Sequence, residues 1–460
     1  MSRHFDAIII GTGQAGPSLA ARFASAGMAV AIIERNKFGG TCVNTGCIPT
    51  KTLVASAYAA HLARRGNEFG FDVNGDVRVD MKRVKSRKDE ISGRSSRGVE
   101  EWLRGLKNCS VIKGHARFES SRAVVVNDEV LEAEKIFINV GGRATVPGFP
   151  GIRDVPFLTN SSMLDLDSLP EHLVIVGGGY IGLEFGQVYR RFGSEVTIVE
   201  MGPRLIGRED EDVSDAVRKI LEVEGIQIRL NAKCISLGKS ENRVAVGIEC
   251  VEGSPGVLGT HILLATGRTP NTHDLGLDRA GVAIDQRGYI LVDDQLQTNV
   301  SGIWALGECN GHGAFTHTAY NDYEIVADNL FNADHRRVSD RIQTYALFTD
   351  PPLGRCGMTE AEIRKSGRAA LAVKHPMSRV GRAIEKGETQ GFMKISVDAE
   401  TKQILGAAVL GTGGDEVVQV LLDIMYAKAP YTVIQRAMHI HPTVAEFLPT
   451  VLSKLEPVAL

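Results

Sequence analysis

Residues 6–35 read DAIIIGTGQAGPSLAARFASAGMAVAIIER, and residues 172–201 read HLVIVGGGYIGLEFGQVYRRFGSEVTIVEM. The two align without a gap at an offset of 166. Each opens on an apolar run of strand type and continues through Gly-x-Gly-x-x-Gly into a stretch with helical apolar spacing. A glycine follows (Gly27, Gly193), then a second apolar run that ends in an acid (Glu34, Glu200). That is one β-α-β unit written twice. With 50 glycines in 460 residues, a bare Gly-x-Gly-x-x-Gly arises by chance about half a time. Two copies with the same flanks, each with an acid 23 residues after the first glycine, point instead to dinucleotide binding. Gly11 and Gly177 allow the tight turn, Gly13 and Gly179 let backbone approach a pyrophosphate, and Gly16 and Gly182 let the helix lie close to its strand. Each helix then turns its positive end toward the phosphates. Two fingerprints imply two dinucleotides and an α/β fold.

Just beyond the first unit, residues 39–51 read GGTCVNTGCIPTK. Cys42 and Cys47 open what reads as a helix. They have no second closely spaced Cys or His pair to complete a zinc site. Buried structural thiols remain an alternative, and a redox disulfide is favoured. A thiolate near a helix N-terminus is stabilised, so one sulfur can donate electrons at neutral pH. Gly46 and Pro49 give the loop its tight geometry. Lys51 lies one helical turn beyond Cys47 and is either a surface lysine or a neighbour of the redox centre.

The remaining chain adds bounds. Its length allows two to four domains, and 43% hydrophobic residues suit a globular protein with a core of useful size. A net charge of −3 gives no basic field for nucleic acid or an anionic membrane. No apolar stretch reaches membrane-spanning length, and the N-terminus lacks the regions of a signal peptide. Seven scattered cysteines do not form a disulfide framework, which favours a cytoplasmic setting. The five outside the pair, Cys109, Cys234, Cys250, Cys309 and Cys356, are expected to fill small buried spaces. Residues 52–106 read as a helical excursion with a solvated face. Residues 120–140 read as short strands, and HILLATGRTPN (261–271) as a strand and a Gly-Arg turn. The acidic run REDEDVSD (208–215) reads as a solvated helix start. After about residue 340 the pattern becomes that of a separate α+β domain, with an apolar helix suited to packing or dimerisation.

GTGQAG, GGTCVNTGCIPTK, GGGYIGLEFG, ATGRTPN, GIWALGE and HIHPTVAE occur in this order. In them the chain resembles the flavin-dependent pyridine nucleotide–disulfide oxidoreductases over essentially its whole length. The resemblance implies two Rossmann-like dinucleotide-binding domains and a C-terminal α+β dimerisation domain. The corresponding division is an FAD-binding part at 1–148, an NAD(P)-binding domain at 149–271, a second FAD-binding or central part at 272–338 and a dimerisation domain at 339–460. It implies FAD held by Gly11, Gly13, Gly16, Glu34, Gly40, Thr41, Gly141 and Glu308. Many members of the family carry Asp where this chain has Glu308, and Ala-Thr-Gly where it has Asn139-Val140-Gly141. It implies a nicotinamide nucleotide at Gly177, Gly179, Tyr180, Gly182, Glu200 and Gly267, with Tyr180 covering the flavin until the nicotinamide displaces it. Glu184 would pair with Lys51. Cys42 and Cys47 would be the redox disulfide, with Cys47 against the flavin and Cys42 attacking the substrate. His441, which taken alone reads as structural, would be the general acid/base, oriented by Glu446 and reaching the disulfide of the other subunit of a homodimer.

An acid closing the second strand favours NAD(H) over NADP(H), although Arg204 and Arg208 could accept a 2′-phosphate. The segments CVNTGCIPTK, FTHTAYNDYEIVADNL and TYALFTDPPLGRCGMTE resemble the mercuric-reductase-like branch. That branch acts on disulfide or metal-ion acceptors and implies no resident metal. The chain lacks the C-terminal cysteine pair of mercuric reductase proper, ending KLEPVAL. Dihydrolipoamide dehydrogenase acting on a lipoyl group is the alternative. Glutathione reductase ranks lower, and a slow-turnover redox partner or sensor is a further alternative. A two-dinucleotide monooxygenase would have no use for the cysteine pair.

Overall fold

The computed structural model describes residues 2–241, 243–249 and 256–458. The first repeat folds as β1 (Arg3–Ile10), α1 (Gly16–Ser25) and β2 (Val30–Glu34). Ala7–Ile10 and all of β2 are buried, as expected of parallel strands covered on both faces. The excursion follows as α2 (Gly40–Asn44), α3 (Cys47–Arg64) and α4 (Met81–Gly105), with residues 70–80 forming no regular element. Next come β3 (Cys109–Lys113), β4 (Arg117–Ser120), β5 (Ala123–Val126) and β6 (Glu129–Ile138). The strand order is β3-β2-β1-β6-β5-β4, and the distant strand Ile303–Ala305 pairs in parallel with the second half of β6. Residues near 303 thereby return to the mouth of the first glycine loop.

The second repeat follows α5 (Asn160–Met163). Its strands His172–Val176 and Glu195–Val199 flank α6 (Tyr180–Phe192), and Gln227–Arg229 and His261–Leu264 complete a four-stranded parallel sheet. The chain from Thr344 onward forms a six-stranded antiparallel sheet with helices on it, including the apolar helix Gly414–Tyr426. Two dinucleotide-type sheets, the first with a parallel core and antiparallel β5 and β4 at its edge, and a C-terminal α+β layer are therefore present, as the sequence implied.

The acidic run departs from expectation. It runs into the first turn of α7 (Glu211–Val223), but Glu209 and Asp210 are buried. Cationic partners from the C-terminal sheet make that burial tolerable. The Tyr345 hydroxyl donates to Glu209, and Arg355 lies 3.8 Å from the same carboxylate. Lys394 reaches Asp210 at 3.2 Å, Asp212 at 3.1 Å and Glu360 at 2.6 Å. The backbone N–H groups of Glu360 and Ala361, opening the helix Glu360–Ser366, donate to Asp210 at 3.1 and 3.2 Å. What reads as a solvated start is an anchor between two parts of the molecule. The helical excursion keeps its solvated face, with only Met81, Lys88, Ser92 and Leu103 of α4 buried. Of the remaining cysteines, Cys309 and Cys356 are buried and Cys109 only half-buried. Cys250 and the side chain of Cys234 lie outside the described residues.

Candidate functional site

Both glycine loops are shaped by backbone that leaves no room for side chains. A Cβ on Gly11 would come within 2.3 Å of Asn139 O, and one on Gly16 within 2.3 Å of Gly11 O. In the second loop Gly177 faces Ala265 O at 2.3 Å and Gly182 faces Gly177 O at 2.2 Å. Gly179 has open space, so the backbone there is bare toward an incoming group. The two acids also behave alike. Glu34 accepts from Thr12 N (3.0 Å), Thr12 Oγ1 (2.6 Å) and Asn36 N (2.8 Å). Glu200 accepts from Gly178 N and Gly202 N, both at 2.6 Å. Each carboxylate is fixed beside its glycine loop with lone pairs left for a ribose hydroxyl.

A cavity of about 1170 Å³ runs from Glu34 and the first glycine loop past Gly40, Thr41 and Gly141 to Cys42, Cys47, Lys51, Tyr180 and Glu184. Its size, its bare glycine floor and its acid at one end fit FAD. Gly40 packs on Gly13, where a Cβ would meet Gly13 Cα at 2.8 Å. Glu308 also lines the cavity, and both its oxygens are taken by Arg268, which donates as well to Gly142 O at 2.8 Å. The longer acid at this position is thus held by a cation. Gly267, just before Arg268, has φ +122°, a conformation that favours glycine.

Cys42 sits in the one-turn helix α2, and Cys47 is the first residue of the 18-residue α3. Both are free thiols. Cys47 Sγ lies 3.2 Å from Thr316 Oγ1. Its pKa is lowered to about 6, first by a hydrogen bond from the Cys42 thiol, then by Thr316 and the Lys51 ammonium, against the opposing effect of burial. Cys42 is raised by the same hydrogen bond and by burial. Both shifts favour the negative charge on Cys47 and the proton on Cys42. Lys51 Nζ donates to Glu184 at 2.7 Å and stands 4.5 Å from the Phe348 ring centre. Glu184 is buried and also accepts from Phe348 N at 3.0 Å. Tyr180 opens α6 with its ring 5.4 Å from that of Phe315, and burial pushes its phenol up to about 12.

His441 Nδ1 lies 3.1 and 3.0 Å from the two oxygens of Glu446. The His441 side chain is 81% exposed and does not line the cavity of its own chain. The single chain thus brings together Cys42, Cys47, Lys51, Glu184 and Tyr180, and separately His441 and Glu446.

Sequence reasoning missed Thr12, Asn139, Arg268, Phe315, Thr316 and Tyr345. Asn139 Oδ1 accepts from Gly16 N at 3.1 Å, and its Nδ2 donates to Leu306 O at 2.9 Å, fastening the glycine loop to a distant crossover. Phe315 is sandwiched between His317 at 5.4 Å and Tyr345 at 5.7 Å, both near-parallel. Asn139 and Arg268 stood inside motifs the sequence did mark. Thr316 and Tyr345 also stood inside marked segments, but nothing in those segments assigned either residue a contact.

The model of the pyridine nucleotide-disulphide oxidoreductase family matches residues 5–322, and that of the family's dimerisation domain matches residues 344–452. The chain belongs to this family. Among its relatives, a probable pyridine nucleotide-disulfide oxidoreductase, RclA of Escherichia coli, is 37% identical, with 96% of this chain and 98% of the relative covered. A dihydrolipoyl dehydrogenase of Thermus scotoductus is 33% identical over 96% of each chain. A mercuric reductase of Streptomyces lividans is 31% identical over 96% of this chain and 94% of the relative. The solved structure of HOCl-induced flavoprotein disulfide reductase RclA from Escherichia coli, as its Cu(II) complex, superposes with a TM-score of 0.89 at 36% identity. It covers 98% of this chain and 99% of that one. This oxidoreductase is thus a flavin-dependent enzyme of the family with a dimerisation domain. No helix of its described residues is long and apolar enough to cross a membrane.

Proposed function

We propose that this oxidoreductase belongs to the mercuric reductase-like branch and reduces a small disulfide or a metal ion through a Cys42–Cys47 redox pair. FAD, bound in the cavity, would supply the passage of an electron pair from a nicotinamide nucleotide to that pair. Gly11, Gly13, Gly16, Glu34, Gly40, Thr41, Gly141 and Glu308 would hold it. Gly177, Gly179, Tyr180, Gly182, Glu200 and Gly267 would hold the nicotinamide nucleotide. The fixed Glu200 carboxylate supports NAD(H) over NADP(H), because it offers acceptors to a 2′-hydroxyl and repels a 2′-phosphate.

The observation that carries the reading is the placement of two thiols in the wall of one cavity, Cys42 in the one-turn α2 and Cys47 at the start of α3. Cys47, at the start of α3 and against Thr316, keeps the negative charge. Cys42 keeps its proton and needs a base before it attacks. His441, oriented by Glu446, would take that proton. Cys42 sulfur then attacks the outer disulfide, one S–S bond forming as the other breaks, and His441 returns the proton to the departing sulfur. Cys47 thiolate next displaces the second product thiol and restores the Cys42–Cys47 bond. With a metal acceptor such as Cu(II), the ion held in the RclA structure, two ions would each take one electron as the pair closes. His441 is exposed and does not line its own cavity, so it would serve the cavity of a second copy in a homodimer with shared sites. A cytoplasmic setting suits a free dithiol. The division at 1–148, 149–271, 272–338 and 339–460 accompanies this reading.

Cys42→Ser should keep FAD and lose disulfide turnover; full reductase activity in that variant refutes the scheme. Anaerobic reduction with NADH, then a panel of lipoamide, glutathione disulfide, Hg(II) and Cu(II), identifies the acceptor. Dihydrolipoamide dehydrogenase activity with NAD+ is the second reading. The His441–Glu446 contact favours it, and dihydrolipoamide oxidation tests it.

A further inference from the structure

Cys42 lies in a helix of only five residues, α2. One turn does not hold itself in water, because nucleation costs more than a single turn returns. Its last carbonyls also have no partners within the helix. In this chain one of those carbonyls, and one carbonyl on either flank of α2, are met by side chains from remote elements. Ser92 Oγ of α4 donates to Val43 O, the residue next to Cys42. Asn160 Nδ2 of α5 donates to Thr45 O at 2.8 Å. Ser96 Oγ, one turn along α4 from Ser92, donates to Phe38 O at 2.8 Å. Asn44 Nδ2 closes the segment on itself, reaching Phe38 O at 2.8 Å and Gly40 O at 2.9 Å. Ser92 and Asn160 are buried, so water does not substitute readily for either. Carbonyls on both sides of Cys42 are thus gripped from outside, whereas Cys47 is anchored by the long helix it begins.

We propose that Ser92, Ser96 and Asn160 are positioning residues that set how readily Cys42 and Cys47 close into a disulfide. The inference rests on the redox reading of that pair. Closure joins the Cys47 thiolate to the Cys42 sulfur as Cys42 gives up its proton, while glutathione disulfide takes the electron pair, that proton and one more from the buffer to become two thiols. Its equilibrium constant scales with the effective concentration of one sulfur at the other. A loosened α2 lowers that concentration and leaves the dithiol favoured.

The test equilibrates the flavin-loaded enzyme anaerobically in mixtures of reduced and oxidised glutathione. After acid quenching and alkylation, mass spectrometry follows the tryptic peptide that carries both cysteines. Ser92→Ala and Asn160→Ala are each expected to lower the closure constant three- to tenfold, a shift of about 15–30 mV toward a less negative potential at 29.6 mV per decade. Ser92→Thr restores the hydroxyl and the wild-type value. Ser95→Ala, whose hydroxyl bonds its own helix at Ile91 O, leaves it unchanged. Donors on two elements keep the test decisive where one replacement impairs folding. Ser92→Ala and Asn160→Ala values within twofold of wild type overturn the inference, as does an equal shift from Ser95→Ala. Failure of Cys42 and Cys47 to pair in any mixture instead brings down the redox reading itself, and this inference with it.

Discussion

At the residue scale the site turns on where one negative charge sits. Cys47 has its pKa lowered from 9.0 to about 6. A group depressed on folding adds stability that is full above its unfolded value and fades as pH falls through its folded value. The reduced enzyme should therefore gain stability relative to reduced Cys47→Ser, fully above about pH 9, with the gain gone below about pH 6. Denaturant titrations of the two across pH check this. Thr316→Val removes one of the groups that stabilise the thiolate. It should raise the thiolate midpoint, read from absorbance near 240 nm, by roughly one pH unit, equivalent to about 1.4 kcal/mol. An unchanged midpoint would mean that the Thr316 contact does not act on the sulfur's charge.

At the element scale the glycine loops and α7 depend on different forces. Helix α1 approaches its strand so closely that Gly16→Ala sets a methyl against Gly11 O. The backbone must shift, at a cost of about 1–3 kcal/mol, and the variant should purify with less flavin absorbance near 450 nm than wild type. Helix α7 is held by charge instead. Burial opposes ionisation of Asp210 and Asp212, yet the amides opening Glu360–Ser366, Lys374 and Lys394 outweigh it, and both acids are lowered. Lys394→Met leaves three carboxylates without their shared cation and should cost about 3–5 kcal/mol at pH 7. Because the wild-type acids are depressed, their contribution is present above the usual carboxylate range and lost as pH falls through the depressed values. The gap between wild type and variant in denaturant unfolding should accordingly narrow in acid.

At the scale of the whole molecule, His441 and the cysteines occupy separate places in one chain. If a second copy completes each site, a mixture of Cys42→Ser and His441→Ala chains regains activity that neither has alone. Random pairing makes half the dimers mixed, and each mixed dimer holds one intact site, so about a quarter of the wild-type rate is expected. No recovery after verified subunit exchange would place acid and disulfide in the same chain.

The two crossovers, the cysteine pair and the Lys51–Glu184 and His441–Glu446 partners were legible in the sequence, the last two pairs through family resemblance. Fingerprints depend on spacing along a single β-α-β unit, and local spacing survives without knowledge of the fold. Tertiary structure alone decided that Thr316 meets Cys47 across 269 residues, that Asn160 and Ser92 grip the turn around Cys42, and that Tyr345 and Arg355 bury Glu209. A hydroxyl, an amide or a carboxylate acquires its role from what the sheets bring against it. The acidic run at 208–215 is therefore solvated or buried according to cations more than a hundred residues away, which no window of the sequence contains.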